Sequence, residues 1–164
     1  MIYTDFQGKK LSLLGFGTMR LPTLADGSID QQQVETMVNI AMDSGVNYFD
    51  TAVPYHNGTS EVAIGKALSQ YPRESWYLAD KFPGHQIASS YDPKAVFEEQ
   101  LEKCGVEYFD FYLLHNVYEK SIKTYLDPAG ASLTTSRNRS VWAVSSTWAS
   151  PPTAGWTTCA RCWI

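Results

Sequence analysis

The sequence predicts an α/β fold in which strand–helix units repeat around a parallel sheet, and three observations lead there. Helical and strand periodicities alternate, one unit about every 30 residues, the spacing of a βα repeat. The helical stretches carry their own punctuation, with Asp30 and Asp92-Pro93 as openings and Gly45 and Gly105 as endings. The chain also echoes itself. Gly45-Val46-Asn47-Tyr48-Phe49-Asp50 returns as Gly105-Val106-Glu107-Tyr108-Phe109-Asp110, each copy running from a helix stop into a strand.

In order, Ile2 to Phe6 and Leu11 to Leu14 read as a β-hairpin around a turn at Gly8-Lys9-Lys10. Leu13 to Gly17 reads as a short strand ending in glycines. Asp30 then caps a helix with Val34, Met37, Val38 and Ala41 on one face, stopping at Ser44-Gly45. Val46 to Asp50 is a buried strand. Thr59 or Ser60 caps a second helix with Ile64, Ala67, Leu68 and Tyr71 aligned and Pro72 just past its end. Trp76 to Phe82 is a third strand. Asp92-Pro93 opens a helix with Phe97, Leu101 and Cys104 on one face and Gly105 as its stop, and Tyr108 to His115 is a fourth strand. Repeats of this kind suit a (β/α)₈ barrel, in which every unit does the same job, but a doubly wound sheet alternates in the same way. Pattern alone leaves both open.

Composition excludes several partners. The 164 residues are 44% hydrophobic and 18% charged, with a net charge of −4 and a pI near 5.3. That balance gives no electrostatic reason to bind nucleic acid or an anionic membrane. No stretch approaches the ~20 apolar residues of a membrane span, and the longest, around Phe109 to Leu114, reads as a buried strand. The first residues lack a basic region followed by an apolar one, which argues against a secretory signal. Cys104, Cys159 and Cys162 form no disulfide framework, so a reducing, cytoplasmic setting fits.

In a barrel, chemistry collects where strands end and βα loops begin. Asp50 ends the second strand, with Tyr55 in the loop beyond it. Lys81 lies at the end of the third strand and His115 at the end of the fourth. Together they make a proton-transfer set. A phenol is a poor acid at neutral pH unless a cation favours its phenolate, and a buried lysine does that. A carboxylate keeps the lysine charged and oriented, and a neutral histidine can hydrogen-bond a carbonyl oxygen as it becomes an alkoxide. Each residue alone has an ordinary structural explanation: a half-buried tyrosine, a strand-end histidine, an Asp–Lys ion pair. Joint occurrence at this spacing favours the chemical reading. Asp110 holds the place of Asp50 in the echo, but its strand runs on to Leu114, so it reads as structural. His56 and His85 read as solvated loop residues that could border a substrate cleft.

These residues and their frames, Asn47-Tyr48-Phe49-Asp50-Thr51-Ala52…Tyr55 and Asp110-Phe111-Tyr112-Leu113-Leu114-His115, resemble the tetrad of the aldo-keto reductases. Leu14-Gly15-Phe16-Gly17-Thr18-Met19-Arg20-Leu21-Pro22 is similar to that family's first strand and loop. Gly58-Thr59-Ser60-Glu61 followed by Ile64-Gly65-Lys66-Ala67-Leu68 is similar to its second helix. The resemblance runs from residue 1 to about residue 127. It implies a (β/α)₈ barrel and NADPH-dependent reduction of an aldehyde or ketone. Tyr55 would be the general acid, Lys81 and Asp50 its tuning pair, and His115 the group that orients the carbonyl. Gly17, Thr18, Met19 and Asp50 would lie near the nicotinamide end of the cofactor. The front half also resembles a branch of the family with a C-terminal iron-sulfur module, whose cysteine clusters have no counterpart here. Gly15-x-Gly17 opens no helix, so it is not a dinucleotide fingerprint, and Cys159-x-x-Cys162 is two ligands short of a structural zinc site. No metal is expected.

The pattern breaks near Asp127-Pro128. Beyond it there is no Asp, Glu or Lys, about a third of the residues are Ser or Thr, and four of the five tryptophans (Trp142, Trp148, Trp156, Trp163) occur without an apolar period. Residues 1–127 are therefore expected to form about four βα units after the hairpin, and residues 128–164 an unstructured or aberrant tail. A family barrel needs about 250 residues. The resemblance places the groups that grip the nicotinamide amide and the 2′-phosphate in the second half, where Ser145-Ser146 is too little to match them. The abrupt change of composition is what a shifted reading frame near residues 128–135 produces. The expectation is an incomplete barrel that binds NADPH weakly, is weak or inactive as a reductase, and self-associates through exposed edges. The alternatives are a self-associating half-barrel that still binds cofactor and a non-catalytic binding or scaffold fragment.

Overall fold

A computed structural model describes residues 1–84, 92–119, 121 and 125 in full, and 141–144 as backbone. β1 (Tyr3–Phe6) and β2 (Lys9–Ser12) pair antiparallel, from Tyr3 against Ser12 to Phe6 against Lys9. Their turn is Gln7-Gly8, with φ of 50° and 76°, a two-residue connection whose twist matches that of the strands. Lys9 and Lys10, expected in the turn, belong to β2 for that reason.

Five parallel strands follow in chain order: β3 (Phe16–Gly17), β4 (Tyr48–Asp50), β5 (Tyr77–Phe82), β6 (Phe111–Leu114) and β7 (Val141–Val144). Each strand lies beside the next in sequence. A doubly wound sheet reverses its order at a switch point and this sheet does not, so the order decides for a barrel, here an incomplete one. β7 pairs with β6 from Phe111–Val141 to Leu114–Val144, inside the segment expected to be tail. Four residues are too few to reveal a period in the sequence.

α1 (Gln31–Asp43), α2 (Ser60–Leu68) and α3 (Pro93–Cys104) pack on the outer face of the sheet. Their ends follow the punctuation. Asp30 accepts from Gln33 N–H, Asp92 accepts from Lys94 N–H, and Gly105 closes α3 in the left-handed conformation at φ 63°. Val34 and Val38 carry the buried face of α1, whereas Met37, expected beside them, is 38% exposed. Phe49, Leu78, Phe82 and Tyr112 alternate outward from the strands to meet Ile64, Leu68 and Phe109 in the helix-side core. α2 and α3 touch at Gly65, where a Cβ would lie 2.2 Å from the Cys104 carbonyl oxygen. The inner face carries Tyr48, Asp50, Tyr77, Ala79, Lys81 and Phe111, with the Phe111 ring 5.6 Å from Tyr48 and 6.5 Å from Tyr77.

The hairpin lies across the N-terminal ends of these strands. Asn47 donates to Lys10 O at 2.9 Å and accepts from Ser12 N–H at 2.8 Å, and the Phe6 ring packs tilted against Phe111 with centroids 6.0 Å apart. Asp110 is the anchor there. Its carboxylate accepts from Arg73 at 2.7 Å and from Leu78 N–H at 3.0 Å, with Lys9 Nζ 3.4 Å away. Asp110 thus sits at the opposite end of the sheet from Asp50 and is structural in its contacts.

Candidate active site

The four residues singled out from sequence converge at the C-terminal ends of β4, β5 and β6. Lys81 Nζ lies 2.5 Å from Asp50 Oδ1, 2.7 Å from Thr51 O and 3.2 Å from Tyr55 Oη. The ammonium is therefore held by one carboxylate and one carbonyl while its third direction meets the phenol. Tyr55 stands edge-on to His115, with ring centroids 5.9 Å apart and planes at 88°. His115 follows the last residue of β6 and its N–H donates to Phe82 O at 3.0 Å. Burial pushes the Asp50 carboxyl above its usual range, and the Lys81 ammonium pulls in the opposite direction.

Lys81 is fixed from behind as well. Odd-numbered residues of β5 turn their peptide groups toward β4: Tyr77 N–H donates to Asn47 O and Ala79 O accepts from Thr51 N–H. β4 ends at Asp50, opposite Ala79, so Lys81 has no strand on that side. Side chains take the place of the strand. Asp80 Oδ1 accepts the Lys81 N–H at 2.7 Å and Gln100 Nε2 donates to Lys81 O at 3.2 Å. Tyr112 Oη in turn donates to Gln100 Oε1.

Asp80 belongs to a buried acidic pair with Glu61 of α2, both fully shielded from solvent. Lys103 Nζ is 3.8 Å from Glu61, and neither the Glu61 oxygens nor Asp80 Oδ2 finds a hydrogen-bond donor among the described residues. Burial raises both carboxyls, and the charge of Glu61 raises Asp80 further. Two ionised carboxylates buried side by side repel, so the fold favours the protonated form of the pair. The sequence reading passed over this pair. Its signal was present: Glu61 shares a helical face with Ile64, Gly65 and Leu68, and Asp80 shares a strand face with Leu78 and Phe82.

Two loops frame the site, one after β3 and one after β4, and three buried hydroxyls join their roots. Ser60 Oγ lies 2.7 Å from Thr18 Oγ1 and 3.0 Å from Thr51 Oγ1, and Thr18 also donates to Asp50 O through both N–H and Oγ1. Thr18, expected near a cofactor, therefore has its hydroxyl committed to the protein. Met19 is 58% exposed, and Gly17 lies beside Asp50 in register with open space where a Cβ would point. His56, read as solvated, is instead bonded: its Nε2 accepts the Leu21 N–H at 2.8 Å. His85, Cys159, Cys162 and Ser145-Ser146 lie outside the described residues. Among the described residues no group of three or more His, Cys, Asp or Glu could hold a metal ion.

The model of the Aldo/keto reductase family matches residues 13–135, most of the chain and all four of these side chains. The chain belongs to that family. An aldo-keto reductase relative from Glycine max, named Probable aldo-keto reductase 1, is 34% identical over 119 residues, covering 68% of this chain and 34% of its own length. The NADH-specific methylglyoxal reductase of Escherichia coli is 31% identical over 124 residues, covering 64% and 38%. Among solved aldo-keto reductases, one from Klebsiella pneumoniae in complex with NADPH superposes with a TM-score of 0.68 at 22% identity, covering 90% of this chain and 51% of that one. The holo form of one from Bacillus halodurans gives 0.66 at 24%, covering 85% and 47%. These likenesses show the barrel fold. The chain spans about a third of the length of the curated relatives it matches.

Proposed function

We propose that this aldo-keto reductase chain carries the proton-transfer half of an NADPH-dependent enzyme that reduces an aldehyde or ketone, and that alone it is weak or inactive. One observation supports the reading above all: the Lys81 ammonium lies between the Asp50 carboxylate and the Tyr55 phenol at 2.5 Å and 3.2 Å. A substrate carbonyl oxygen placed against Tyr55 would receive the phenolic proton. Lys81 stabilises the negative charge left on the Tyr55 oxygen, Asp50 holds Lys81 charged and aimed, and His115 orients the carbonyl.

NADPH, when bound, supplies the hydride. The surface beside Asp50 suits its nicotinamide end, because Gly17 leaves room above the sheet and Met19 is exposed to cover a ring. Thr18 would contribute through its place in the loop rather than its hydroxyl. The groups that hold the amide and the 2′-phosphate belong, by family resemblance, to a second half, and the family match here ends at residue 135, so we expect weak cofactor affinity. A small carbonyl compound in a reducing, cytoplasmic setting is the expected partner. No helix among the described residues is long and apolar enough to cross a membrane.

An NADPH fluorescence titration with Tyr55→Phe and Lys81→Ala in parallel tests this reading. Saturable binding with aldehyde-dependent NADPH loss that Tyr55→Phe abolishes is the expected signature of a working site. No binding at high cofactor concentration leaves a non-catalytic fragment and overturns the catalytic part.

A second reading, association of two chains, rests on the sheet edges. Among the described residues β3 and β7 each have a strand neighbour on one side only, and such edges invite pairing. Sedimentation that shows a discrete dimer supports it, and a monomer at all concentrations rules it out.

A further inference from the structure

We propose that His56 is a positioning residue, tying the loop that carries Tyr55 to the loop after β3 and so setting the Tyr55 hydroxyl against Lys81. The inference rests on the proton-donor reading of Tyr55.

The bond spans 35 positions of sequence: His56 Nε2 accepts Leu21 N–H at 2.8 Å. Leu21 is a firm donor, because its side chain is 5% exposed and packs in the core. The ring nitrogen Nε2 is the acceptor, so the contact needs a side-chain acceptor of this reach at position 56. The backbone here is also unusual. His56 and Asn57 are both left-handed, at φ/ψ of 50°/45° and 55°/35°, and Gly58 follows at φ 87°. Two successive non-glycine residues in that region are strained and persist only where surrounding contacts hold them. The contacts are the Leu21 bond, the Thr59 N–H and hydroxyl on His56 O, and the Tyr55 N–H on Ala52 O. Of these, only the Leu21 bond reaches the neighbouring loop. The Thr18–Ser60–Thr51 hydroxyls fasten the two loops at their roots, whereas His56 fastens them next to Tyr55 itself. Release of the ring would let the turn relax toward right-handed backbone and rotate Tyr55 away from Lys81.

The test compares the full chain with His56→Leu, which lacks the acceptor, and His56→Gln, which keeps one within reach. Amide hydrogen exchange at Leu21 and the carbon-13 resonance of Tyr55 Cζ are read without cofactor. In His56→Leu we expect Leu21 to exchange roughly tenfold faster, the worth of one hydrogen bond, and the Tyr55 resonance to move. His56→Gln should restore both. Should the leucine variant fail to fold, His56→Asn, tolerant of left-handed backbone but too short to reach Leu21, replaces it. Unchanged Leu21 exchange overturns the proposal, as does altered exchange with an unmoved Tyr55. Where the wild-type chain reduces aldehydes, kcat should fall in the leucine variant with little change in KM for NADPH. A wild-type chain without activity agrees with the proposed function and leaves this test intact, since Leu21 exchange and the Tyr55 resonance are still measured.

Discussion

Lys81 Nζ stands 2.5 Å from Asp50 Oδ1 on a side chain that is 6% exposed, whereas Asp50 keeps 27% of its own side chain open to solvent. The asymmetry says which partner depends on the other. Asp50→Ala would strand a buried ammonium, and we expect it to cost about 3 kcal/mol, at the lower end for breaking a buried pair. Lys81→Met fills the same volume without a charge and leaves a carboxylate that water can reach, so it should cost under about 1 kcal/mol. Urea unfolding at neutral pH ranks the two. The reverse order would show that Asp50 is the buried partner in energetic terms.

The Asp80–Glu61 pair should make stability fall as pH rises. Both carboxyls are raised in the folded chain. The fold therefore favours their protonated forms, and that contribution is complete below the unfolded carboxylate range, about pH 4. It is lost as pH climbs through the raised values. Around the pair stand Lys81 on β5, Tyr112 on β6, and Glu99, Lys103 and Cys104 on α3, and none removes the mutual repulsion of two ionised carboxyls. Asp80→Asn keeps an acceptor for the Lys81 N–H and removes one charge. We expect it to gain about 1 kcal/mol at neutral pH and to flatten the dependence of the urea midpoint on pH. An unchanged slope would mean the pair does not titrate with folding.

Asp110→Ala separates the two halves of the sequence echo. It leaves the Leu78 N–H without its acceptor and Arg73 without its carboxylate, though still bonded to Trp76 O and Tyr108 O, an expected cost of about 2–4 kcal/mol. The residue lies at the far end of the sheet, so NADPH binding by the folded fraction should not change. Thermal unfolding and cofactor titration on one sample check both halves, and altered cofactor affinity would contradict the placement.

Gly65→Ala tests the helix crossing. The new Cβ would fall 2.2 Å from the Cys104 carbonyl oxygen, a backbone atom that cannot rotate away. α2 and α3 must separate, at an expected cost of about 2–3 kcal/mol despite alanine's better helix propensity. A gain in melting temperature would show that the two helices slide freely.

Much of this was legible in the sequence because it is local. Asp30, Asp92-Pro93 and Gly105 act within one turn of their own helices, and the order of Asp50, Tyr55, Lys81 and His115 follows the strand ends. The sheet order is not local, and a barrel became distinguishable from a doubly wound sheet only once β3 to β7 stood side by side. The missed parts of the site are contacts between distant residues. Nothing near His56 announces that it meets Leu21, and nothing near Ser60 announces Thr18 and Thr51. Asp80 and Glu61 broke the apolar pattern of their own elements and could have been noticed.

β5 outlasts β4, and that step makes the site intolerant of counting errors. Lys81 looks into the barrel and its neighbour Asp80 looks out at α2, because alternate residues of a strand face opposite ways. A deletion or insertion of one residue between Trp76 and Asp80 would exchange them. Beside Asp50 there would then be a second carboxylate in place of an ammonium, and the lysine would turn outward into the helix layer beside Glu61. A single slip in length would reverse the sign of the charge that Tyr55 faces, without altering any of the four residues that meet there.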